Sequence, residues 1–433
     1  MSICVDVHLL SGKRAAVEVE AEASVESLKR RAQSALAVPG TGRLLNSSGE
    51  VLDGAQMVTE AELRSGDVVT LHVTLNQVVQ IARHGSHCHA FAAILGDGSA
   101  VTWHSDGGCD SSAVQEQLRD VQQIQASHSA FAAILGDGSV VTWGSARYGG
   151  DSSAVQEQLR DVQQIQVSSD FADRGAFAAI LGDGSVVTWG SARYGGDSSA
   201  VQEQLRDVQQ IQVSSDFADR GAFAAILGDG SVVTWGDAYF GGDSSAVQDQ
   251  LRDVQQIQAS SGAFAAMLGD GSVVTWGFAE CNGDSSAVQE QLRDVQQIQA
   301  SYRAFAAILG DGSVVTWGAA PFGGDSSAVQ EQLRDVQQIQ GSGSAFAAIL
   351  INGSVVTWGD GGGGDCRAVQ DQLRDVQQIQ GYQGYFAAIR SDGSVVTWGA
   401  RIQIAIADSH RQKSISSRPS APKTGKVLYS CLL

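Results

Sequence analysis

The chain has 433 residues, of which 43% are hydrophobic and 17% charged, and its formal net charge is −19. This composition is typical of a folded, water-facing protein, and no apolar run is long enough to cross a bilayer, so we expect no membrane partner. The six cysteines form no CxxC pair and the first residues do not resemble a secretory signal. We therefore expect a cytoplasmic and/or nuclear protein without a disulfide scaffold.

Residues 1–74 predict a small α+β domain. Strand-like segments from Ser2 to Val7 and from Val17 to Glu20 flank Ser11-Gly12-Lys13 and indicate a hairpin. Val25, Leu28 and Ala32 recur at helical spacing and predict a helix that buries one stripe. The apolar run 67–73 predicts a closing strand.

This order of elements resembles ubiquitin and its β-grasp fold. The apolar patch by which ubiquitin is recognised would fall on Leu10, Asn46 and His72, so two of its three members are polar here. The chain continues with Leu75-Asn76-Gln77 where ubiquitin ends in Gly-Gly, which excludes conjugation. The resemblance therefore implies a built-in ubiquitin-like domain that docks the chain on a component of the ubiquitin pathway.

Residues 76–399 contain eight copies of one sequence repeat. Each copy contains a form of FAAILGDGSVVTWG, and the tryptophans lie 40, 46, 46, 41, 41, 41 and 40 residues apart. A period of about forty residues is typical of supersecondary units that stack on their neighbours. Residues 144–189 and 190–235 are identical, which suggests a recent duplication.

Each copy predicts three short strands. The apolar segments AFAAIL and SVVTW are joined by an Asp-Gly or Asn-Gly pair, for which we predict a two-residue type I′ turn. The segment VQQIQ predicts a third strand, and the preceding SSAVQEQLRDV predicts a helical turn in which Ser153 and Gln156 form a capping box. Small antiparallel sheets repeated in this way predict a mainly β protein, a β-propeller of seven or eight blades.

The repeat resembles that of the regulator of chromosome condensation family. The resemblance is carried by DGSVVTWG, a glycine-containing loop, and a V-x-x-x-L-x-x-V-x-x-I pattern over about residues 76–399. It implies a propeller, usually of seven blades, whereas eight tryptophan units are present here. The namesake of the family exchanges guanine nucleotide on a small GTPase, and HERC-type relatives join such propellers to a HECT ubiquitin-ligase domain.

The copies differ mainly in two loops, between IQ and FAAI and after the tryptophan. A chain that alternates up and down places both loops at one end of the propeller, so we predict that this end binds a protein partner. Aromatic and arginine side chains that break the repeat are the candidate contacts, because such residues are favoured anchors. The candidates are Asp170, Phe171, Arg174, Asp216, Phe217, Arg220, Tyr302, Arg303, Tyr382 and Tyr385.

Aromatic residues that recur at one loop position have a structural interpretation instead, as rings that wedge the loop. They are Tyr148, Tyr194, Phe240 and Phe322. The first copies also gather side chains that could ligate zinc, although their spacing matches no zinc motif, and we expect no cofactor. They are His84, His87, Cys88, His89, His104, Cys109 and His128.

The charge distribution separates the repeats from the tail. The repeats carry 15 basic and 36 acidic residues and no lysine, which disfavours direct nucleic-acid binding. Residues 400–433 carry six basic residues and one acidic residue and are expected to be disordered. They are too few for a HECT domain.

No nucleophile, phosphate-binding or other catalytic signature is present in the sequence. The sequence therefore predicts a non-catalytic adaptor whose propeller binds a protein and whose first 74 residues connect it to the ubiquitin–proteasome pathway. Two alternatives remain: part of, or a relative of, a HERC-type ubiquitin ligase, and a guanine-nucleotide exchange factor. A longer transcript encoding a HECT domain would identify the first, and accelerated nucleotide release from a small GTPase the second.

Overall fold

A computed structural model describes most of the chain before residue 400. The described residues are 2–9, 13–36, 41–46, 51–54, 56–61, 63–74, 80–82, 90–104, 109–169, 174–216, 220–279, 283–360 and 362–399. Within these ranges no helix combines the length and apolar character that a bilayer crossing requires. The basic tail, 400–433, lies outside the described residues.

The first 74 residues form one four-stranded mixed sheet with a helix. The elements are β1 (Ser2–His8), β2 (Arg14–Glu20), α1 (Val25–Leu36), β3 (Thr41–Leu45) and β4 (Val68–Thr74). The sheet order is β2-β1-β4-β3, with β1 parallel to β4 and the other neighbours antiparallel. The predicted hairpin, helix and closing strand are all present.

The helix covers one face of this sheet. Val25, Leu28 and Ala32 are 0–2% exposed and pack against Val5 and Leu71 of β1 and β4. The backbone N–H of Ser27 donates to Ser24 Oγ at 3.3 Å, so Ser24 caps the helix. These side chains form a hydrophobic core drawn from residues 3–71 alone.

The repeats form three-stranded antiparallel sheets, of which the described residues contain eight. The first strands are β5 (Gln80–Ala82), β8 (Val121–Ala126), β11 (Val162–Ser169), β14 (Val208–Asp216), β17 (Val254–Ala259), β20 (Val295–Ala300), β23 (Val336–Gly341) and β26 (Val376–Tyr382). The second strands are β6 (Ala90–Ile94), β9 (Ala130–Leu135), β12 (Gly175–Leu181), β15 (Arg220–Leu227), β18 (Ala263–Leu268), β21 (Ala304–Leu309), β24 (Ala345–Leu350) and β27 (Tyr385–Arg390). The third strands are β7 (Ala100–His104), β10 (Val140–Gly144), β13 (Val186–Gly190), β16 (Val232–Gly236), β19 (Val273–Gly277), β22 (Val314–Gly318), β25 (Val355–Gly359) and β28 (Val395–Gly399).

Each of the second to seventh sheets buries both faces because its neighbours in the chain pack on either side. In the sheet of β9, the side chains of Ala132, Ile134 and Val140 point toward the following sheet, and we call this side the forward face. Phe131 and Trp143 belong to the opposite side, the backward face, which packs on the preceding sheet. A core between two sheets therefore always joins a forward face to a backward face.

An aromatic pair stands at the centre of each backward face. Phe and Trp lie opposite each other on the second and third strands, and Phe177 and Trp189 stack with ring centroids 5.1 Å apart. Trp189 Nε1 also donates to the carbonyl oxygen of Gly149, in the loop of the preceding unit, at 2.9 Å. The stack recurs in the second to eighth sheets. The hydrogen bond recurs at Trp235, Trp276, Trp358 and Trp398, and in these sheets it fastens the sheet to the previous one.

The protein is therefore mainly β, with repeated three-stranded antiparallel sheets packed in chain order, consistent with a β-propeller. The two outermost faces differ from the internal ones. Trp103 on the first sheet is 53% exposed, whereas the other seven tryptophans are 4–7% exposed. Ring closure would cover that face, and in the described structure it is exposed.

The type I′ prediction for the Asp-Gly hairpins is wrong. Gly138 has φ +77°, but Asp137 does not have a positive φ. Gly138 N donates to Leu135 O and Leu135 N donates to Ser139 O, both at 2.9 Å, which defines a three-residue loop. Only the last residue of such a loop needs the left-handed region, so the conformation of the loop does not explain the aspartate. Its side chain stabilises the loop instead, because Asp137 Oδ1 accepts from Ser139 N and Oγ, at 2.9 and 2.6 Å.

The helical turn before the first strand is present as a short 3-10 helix, but the predicted capping box is wrong. Gln156–Gln158 is the helical segment, and its cap residue, Val155, offers no side-chain hydrogen bond. Ser152, not Ser153, contacts Gln156, with Oγ donating to Oε1 at 2.8 Å. Ser152 Oγ also lies 2.9 Å from Thr142 Oγ1, and Gln156 Nε2 donates to Val140 O at 2.9 Å, so the segment is fastened to the preceding sheet.

The remaining 3-10 helices follow the same two positions in the repeat. They are Ala146–Tyr148, Ala192–Tyr194, Gln202–Gln204, Ala238–Phe240, Gln248–Gln250, Gln289–Gln291, Ala320–Phe322, Gln330–Gln332, Gly362–Gly364 and Gln370–Gln372.

Candidate interaction face

The two variable loops of a sheet meet at one end wherever the structure describes both of them. The residue after the third strand donates its backbone N–H to the residue before the second strand, as Ser145 does to Ser129 at 2.8 Å. The same bond joins Phe278 to Gly262 and Ala319 to Arg303, both at 2.8 Å. We call this end, with its two sets of loops, the variable end. The Asp-Gly hairpins form the constant end, where Val162 N donates to Gly138 O at 2.8 Å.

The recurring aromatic rings of the variable end are structural. Tyr148, Tyr194 and Phe240 are at most 8% exposed, and Phe322 is half-buried. Ser127 Oγ donates to Tyr148 O at 3.0 Å, which fastens one variable loop to the other. These rings hold the loops in place, as their recurrence in the sequence indicates.

Two of the candidate contact residues are arginines that are exposed at the variable end. Arg174 precedes β12, and Arg220 begins β15 at the equivalent position of the duplicated unit. Arg220 Nη1 lies 3.3 Å from Asp237 Oδ2 in the neighbouring loop. Asp170, Phe171 and Phe217 lie outside the described residues, as does the side chain of Asp216.

Tyr302 and Arg303 are half-buried in the loop between β20 and β21. The guanidinium carbon of Arg303 lies 5.7 Å from the centroid of the Tyr302 ring, which is itself 5.7 Å from the ring of Phe322. Tyr302 N donates to Gly343 O at 3.2 Å, and Tyr302 O accepts from Ser261 N at 2.9 Å. This loop therefore links three successive sheets, and the side chains of both candidate residues are partly exposed.

Tyr382 and Tyr385 lie opposite each other across the hairpin of the eighth sheet. Gln383 and Gly384 form its turn, with φ +43° and +84°. Tyr382 is 48% exposed and Tyr385 is half-buried. The structure thus separates the described candidates among several sheets of the variable end rather than gathering them into one cluster.

An aromatic cluster at this end was not predicted from the sequence. Tyr239 is 57% exposed, and its ring centroid lies 4.5 Å from that of Phe278 and 5.9 Å from that of Phe240. Asp237 Oδ1 accepts from Tyr239 N at 3.0 Å. Because Asp237 also pairs with Arg220, the loop that contains Asp237 and Tyr239 is held beside Arg220. A signal was available, because Tyr239 stands where the two preceding copies have Arg147 and Arg193.

Among the described residues, the candidate zinc ligands do not form a cluster. No group of three or more His, Cys, Asp or Glu side chains in that part of the chain is placed to hold a metal ion. Cys109 is buried, and the ring of His128 stacks on Tyr148 with centroids 5.4 Å apart. His84, His87, Cys88 and His89 lie outside the described residues, as does the side chain of His104.

No family model matches the chain. No curated protein matches either. Among solved structures, the chain is similar to the CRINKLY WD40 ectodomain of the Arabidopsis thaliana receptor kinase ACR4, at 18% identity over 64% of this chain and 95% of that one, with a TM-score of 0.34. Human WBSCR16 is similar at 14% identity over 83% of this chain and 99% of that one, with a TM-score of 0.35.

Proposed function

We propose that the chain is a non-catalytic adaptor of the cytoplasm or nucleus. In this proposal a β-propeller of the regulator-of-chromosome-condensation type, with seven or eight blades, binds a protein partner through the variable end. Residues 1–74 act as a ubiquitin-like domain that connects the partner to the ubiquitin–proteasome pathway. The observation that carries the proposal is that both variable loops meet at one end in the sheets whose loops the structure describes.

The chemistry of the variable end supports a protein as its ligand. Exposed tyrosines and arginines supply large contact area and hydrogen-bond donors, and such residues account for most of the binding energy in protein interfaces. Arg220 and Tyr239 lie on adjoining loops joined through Asp237, so one partner could contact both. The constant end carries the same short hairpin in each copy, which gives a partner little to distinguish.

The separate core of residues 3–71 supports a second, independent role for the N-terminal part. A domain with its own core keeps its fold when the rest of the chain is engaged. The sheet order and the helix across one face also agree with the expected β-grasp arrangement.

The variable end is tested by proximity labelling with full-length chains. We expect Tyr239→Ala combined with Arg220→Ala to reduce labelling of the partner at least tenfold, because loss of a central anchor weakens binding by roughly 2 kcal/mol or more. Ile351→Ala is the matched control, since Ile351 is 70% exposed at the constant end. Equal loss with both variants would contradict a partner site at the variable end.

The role of residues 1–74 is tested by deleting them. We expect ubiquitin-pathway proteins to disappear from the labelled set while the partner of the variable end is retained. If all ubiquitin-pathway proteins remain after the deletion, the adaptor proposal is wrong in its second half and the partner site is unaffected.

A further inference from the structure

Two buried tryptophans differ from the other five in the bonding of their indole N–H. Five donate to the carbonyl oxygen of a glycine in the preceding loop, at 2.9–3.1 Å: Trp189, Trp235, Trp276, Trp358 and Trp398. Trp143 Nε1 and Trp317 Nε1 are buried and have no acceptor among the residues that the structure describes. A buried donor without an acceptor is destabilising, so these two exceptions need a local cause.

The cause lies in a pair of glycines in the preceding loop. Each of the five acceptor glycines is followed by a second glycine, as in Gly149-Gly150. The loops before Trp143 and Trp317 have Gly108-Cys109 and Asn282-Gly283 at this place. The two indoles without an acceptor thus follow the two loops in which the glycine pair is incomplete.

The geometry of the intact loops explains why the first glycine cannot carry a side chain. A Cβ added to Gly149 would lie 2.5 Å from Cδ2 of Phe177, a fully buried ring. The same distance, to the equivalent ring, is 2.7 Å at Gly241 and 2.6 Å at Gly323. The conformation that brings the carbonyl oxygen to the indole therefore requires glycine. Before Trp317 that position is occupied in the sequence by Asn282, which lies outside the described residues.

An open cavity of about 410 Å³ lies between the fifth and sixth units at the variable end. Its lining includes Ala279 and Asp284 of the fifth unit and Thr316 and Trp317 of the sixth. In the other units the indole N–H points to the preceding loop, which is the side that Ala279 and Asp284 line here. Trp317 is 4% exposed and stacks on Phe305 with ring centroids 5.2 Å apart, which fixes the direction of its donor.

We propose that this cavity receives a glycine-containing loop of the protein partner, and that a main-chain carbonyl of that loop accepts from Trp317 Nε1. The inference rests on the proposed protein-binding role of the variable end. A main-chain carbonyl satisfies the same indole in five other units, and the adjoining phenylalanine ring leaves room there for glycine alone. Phe278, one residue before Ala279, and the exposed Tyr239 supply a neighbouring aromatic contact for the same partner.

The test uses the full-length chain with isotope-labelled tryptophan and follows the indole N–H signals by NMR. The probe is a capped peptide, Ala-Arg-Tyr-Gly-Gly-Asp, which copies residues 146–151 of this chain. At millimolar concentration it should shift the signal of Trp317, which Trp317→Phe identifies, and slow its exchange with solvent. The signals of Trp189 and Trp235, whose N–H groups are already paired, should stay unchanged. A peptide with alanine in place of the first glycine is the matched control and should shift no signal.

Asn282→Gly restores the glycine pair of the fifth unit without altering the cavity lining named above. In this variant the Trp317 N–H should be as protected from solvent as that of Trp189, and the peptide should no longer shift its signal. Two results would overturn the proposal: a Trp317 N–H already protected in the unaltered chain, or a signal that the peptide does not move.

Failure of this proposal can be distinguished from failure of the proposed function. If the peptide leaves Trp317 unchanged while Tyr239→Ala with Arg220→Ala still reduces labelling of the partner, the cavity is not a binding site and the variable end remains the partner site. If the peptide binds at Trp317 but that double substitution leaves labelling unchanged, the cavity remains a peptide site and the proposed role of Tyr239 and Arg220 is wrong.

Discussion

The glycine that closes each hairpin of the constant end serves two purposes, and the chain contains positions that separate them. Gly184 has φ +78°, and a Cβ added there would lie 2.7 Å from Asp207 Cα in the following unit. Gly393 in the eighth sheet has φ +80° but no heavy atom within 4 Å of the added Cβ. At Gly393 only the backbone conformation requires glycine. At Gly184 the close packing against Asp207 requires it as well.

We predict that Gly184→Ala is more destabilising than Gly393→Ala. The left-handed conformation alone should cost about 1 kcal/mol at Gly393. The clash with a backbone atom should raise the cost at Gly184 to roughly 2–4 kcal/mol. Urea unfolding of the two variants measures the difference, and equal midpoints would show that the approach to Asp207 has no energetic effect.

At this scale the sequence reveals which residues do not vary, but not which atoms they contact. The glycine of every Asp-Gly pair could be predicted to have a positive φ, because the same dipeptide recurs between strands. Its proximity to Asp207 depends on the packing of one unit on the next. A local pattern contains no information about that distance.

At the scale of the element, the stacked Phe and Trp are the unit that fastens one sheet to another. Trp235 stacks on Phe223 at 5.1 Å and donates to Gly195 O at 3.0 Å. Trp103 occupies the same position in its strand, yet it is more than half exposed. The chain thus offers a buried tryptophan and its own exposed counterpart.

We expect Trp235→Ala to lower the free energy of unfolding by about 3–5 kcal/mol, because it removes a buried aromatic side chain and leaves a cavity. Trp103→Ala at low micromolar protein concentration should lower it by less than about 1 kcal/mol, since little area is buried there. Chemical denaturation monitored by circular dichroism gives both values. A large loss from Trp103→Ala would mean that its face is covered in solution.

The strands and the helical turn could be predicted from apolar periodicity, and the structure contains both. The residue that fastens the helical turn could not be predicted from that periodicity. Ser152 and Ser153 are adjacent and chemically identical, and the choice between them depends on Thr142, whose hydroxyl lies 2.9 Å from that of Ser152. The partner lies on the preceding sheet, so helical spacing pointed to the wrong serine.

At the scale of the whole molecule, acidic side chains repeat at fixed positions in the turns. The hydroxyl and backbone N–H of Ser139 hold the pKa of Asp137 below its ordinary value. The serine two residues after the aspartate lowers the aspartate's pKa in the same way at Asp183, Asp229, Asp270 and Asp311. Arg367, which donates twice to the carboxylate, lowers the pKa of Asp365 to about 2. In each case the folded chain favours the ionised carboxylate more than the unfolded chain does.

These shifts predict acid sensitivity with a defined sign. Because the folded pKa is lowered, the contribution to stability is present above the unfolded pKa near 4 and is lost as pH falls through the folded value. We expect the urea midpoint to fall between pH 4 and pH 2. Replacing the five hairpin aspartates named above by asparagine should make this fall shallower.

Asn352 shows that such a replacement preserves the turn. Its Oδ1 accepts from Ser354 N at 2.9 Å and from Ser354 Oγ at 2.6 Å, as aspartate does in the other hairpins. A fivefold variant with an unchanged pH dependence would mean that the hairpin carboxylates do not contribute to acid unfolding.

The period and the mainly β class could be predicted at this scale, because eight tryptophans mark eight units. The difference in exposure between the internal and the outermost sheets could not be predicted from the sequence. Trp103 and Trp235 follow the same Val-Thr, yet one is exposed and the other buried. The environment of a repeat depends on its rank in the series, which its own residues do not encode.

The identical units 144–189 and 190–235 have a consequence for how this chain can change over generations. Removing one of them would bring the forward face of the second sheet against the backward face of the fourth, which differs in no position from the face it replaces. Unequal recombination between the two copies would therefore yield a shorter chain whose remaining contacts are already optimised. Gain of a unit is equally simple, so repeat number can vary by whole sheets without any intermediate that is poorly packed.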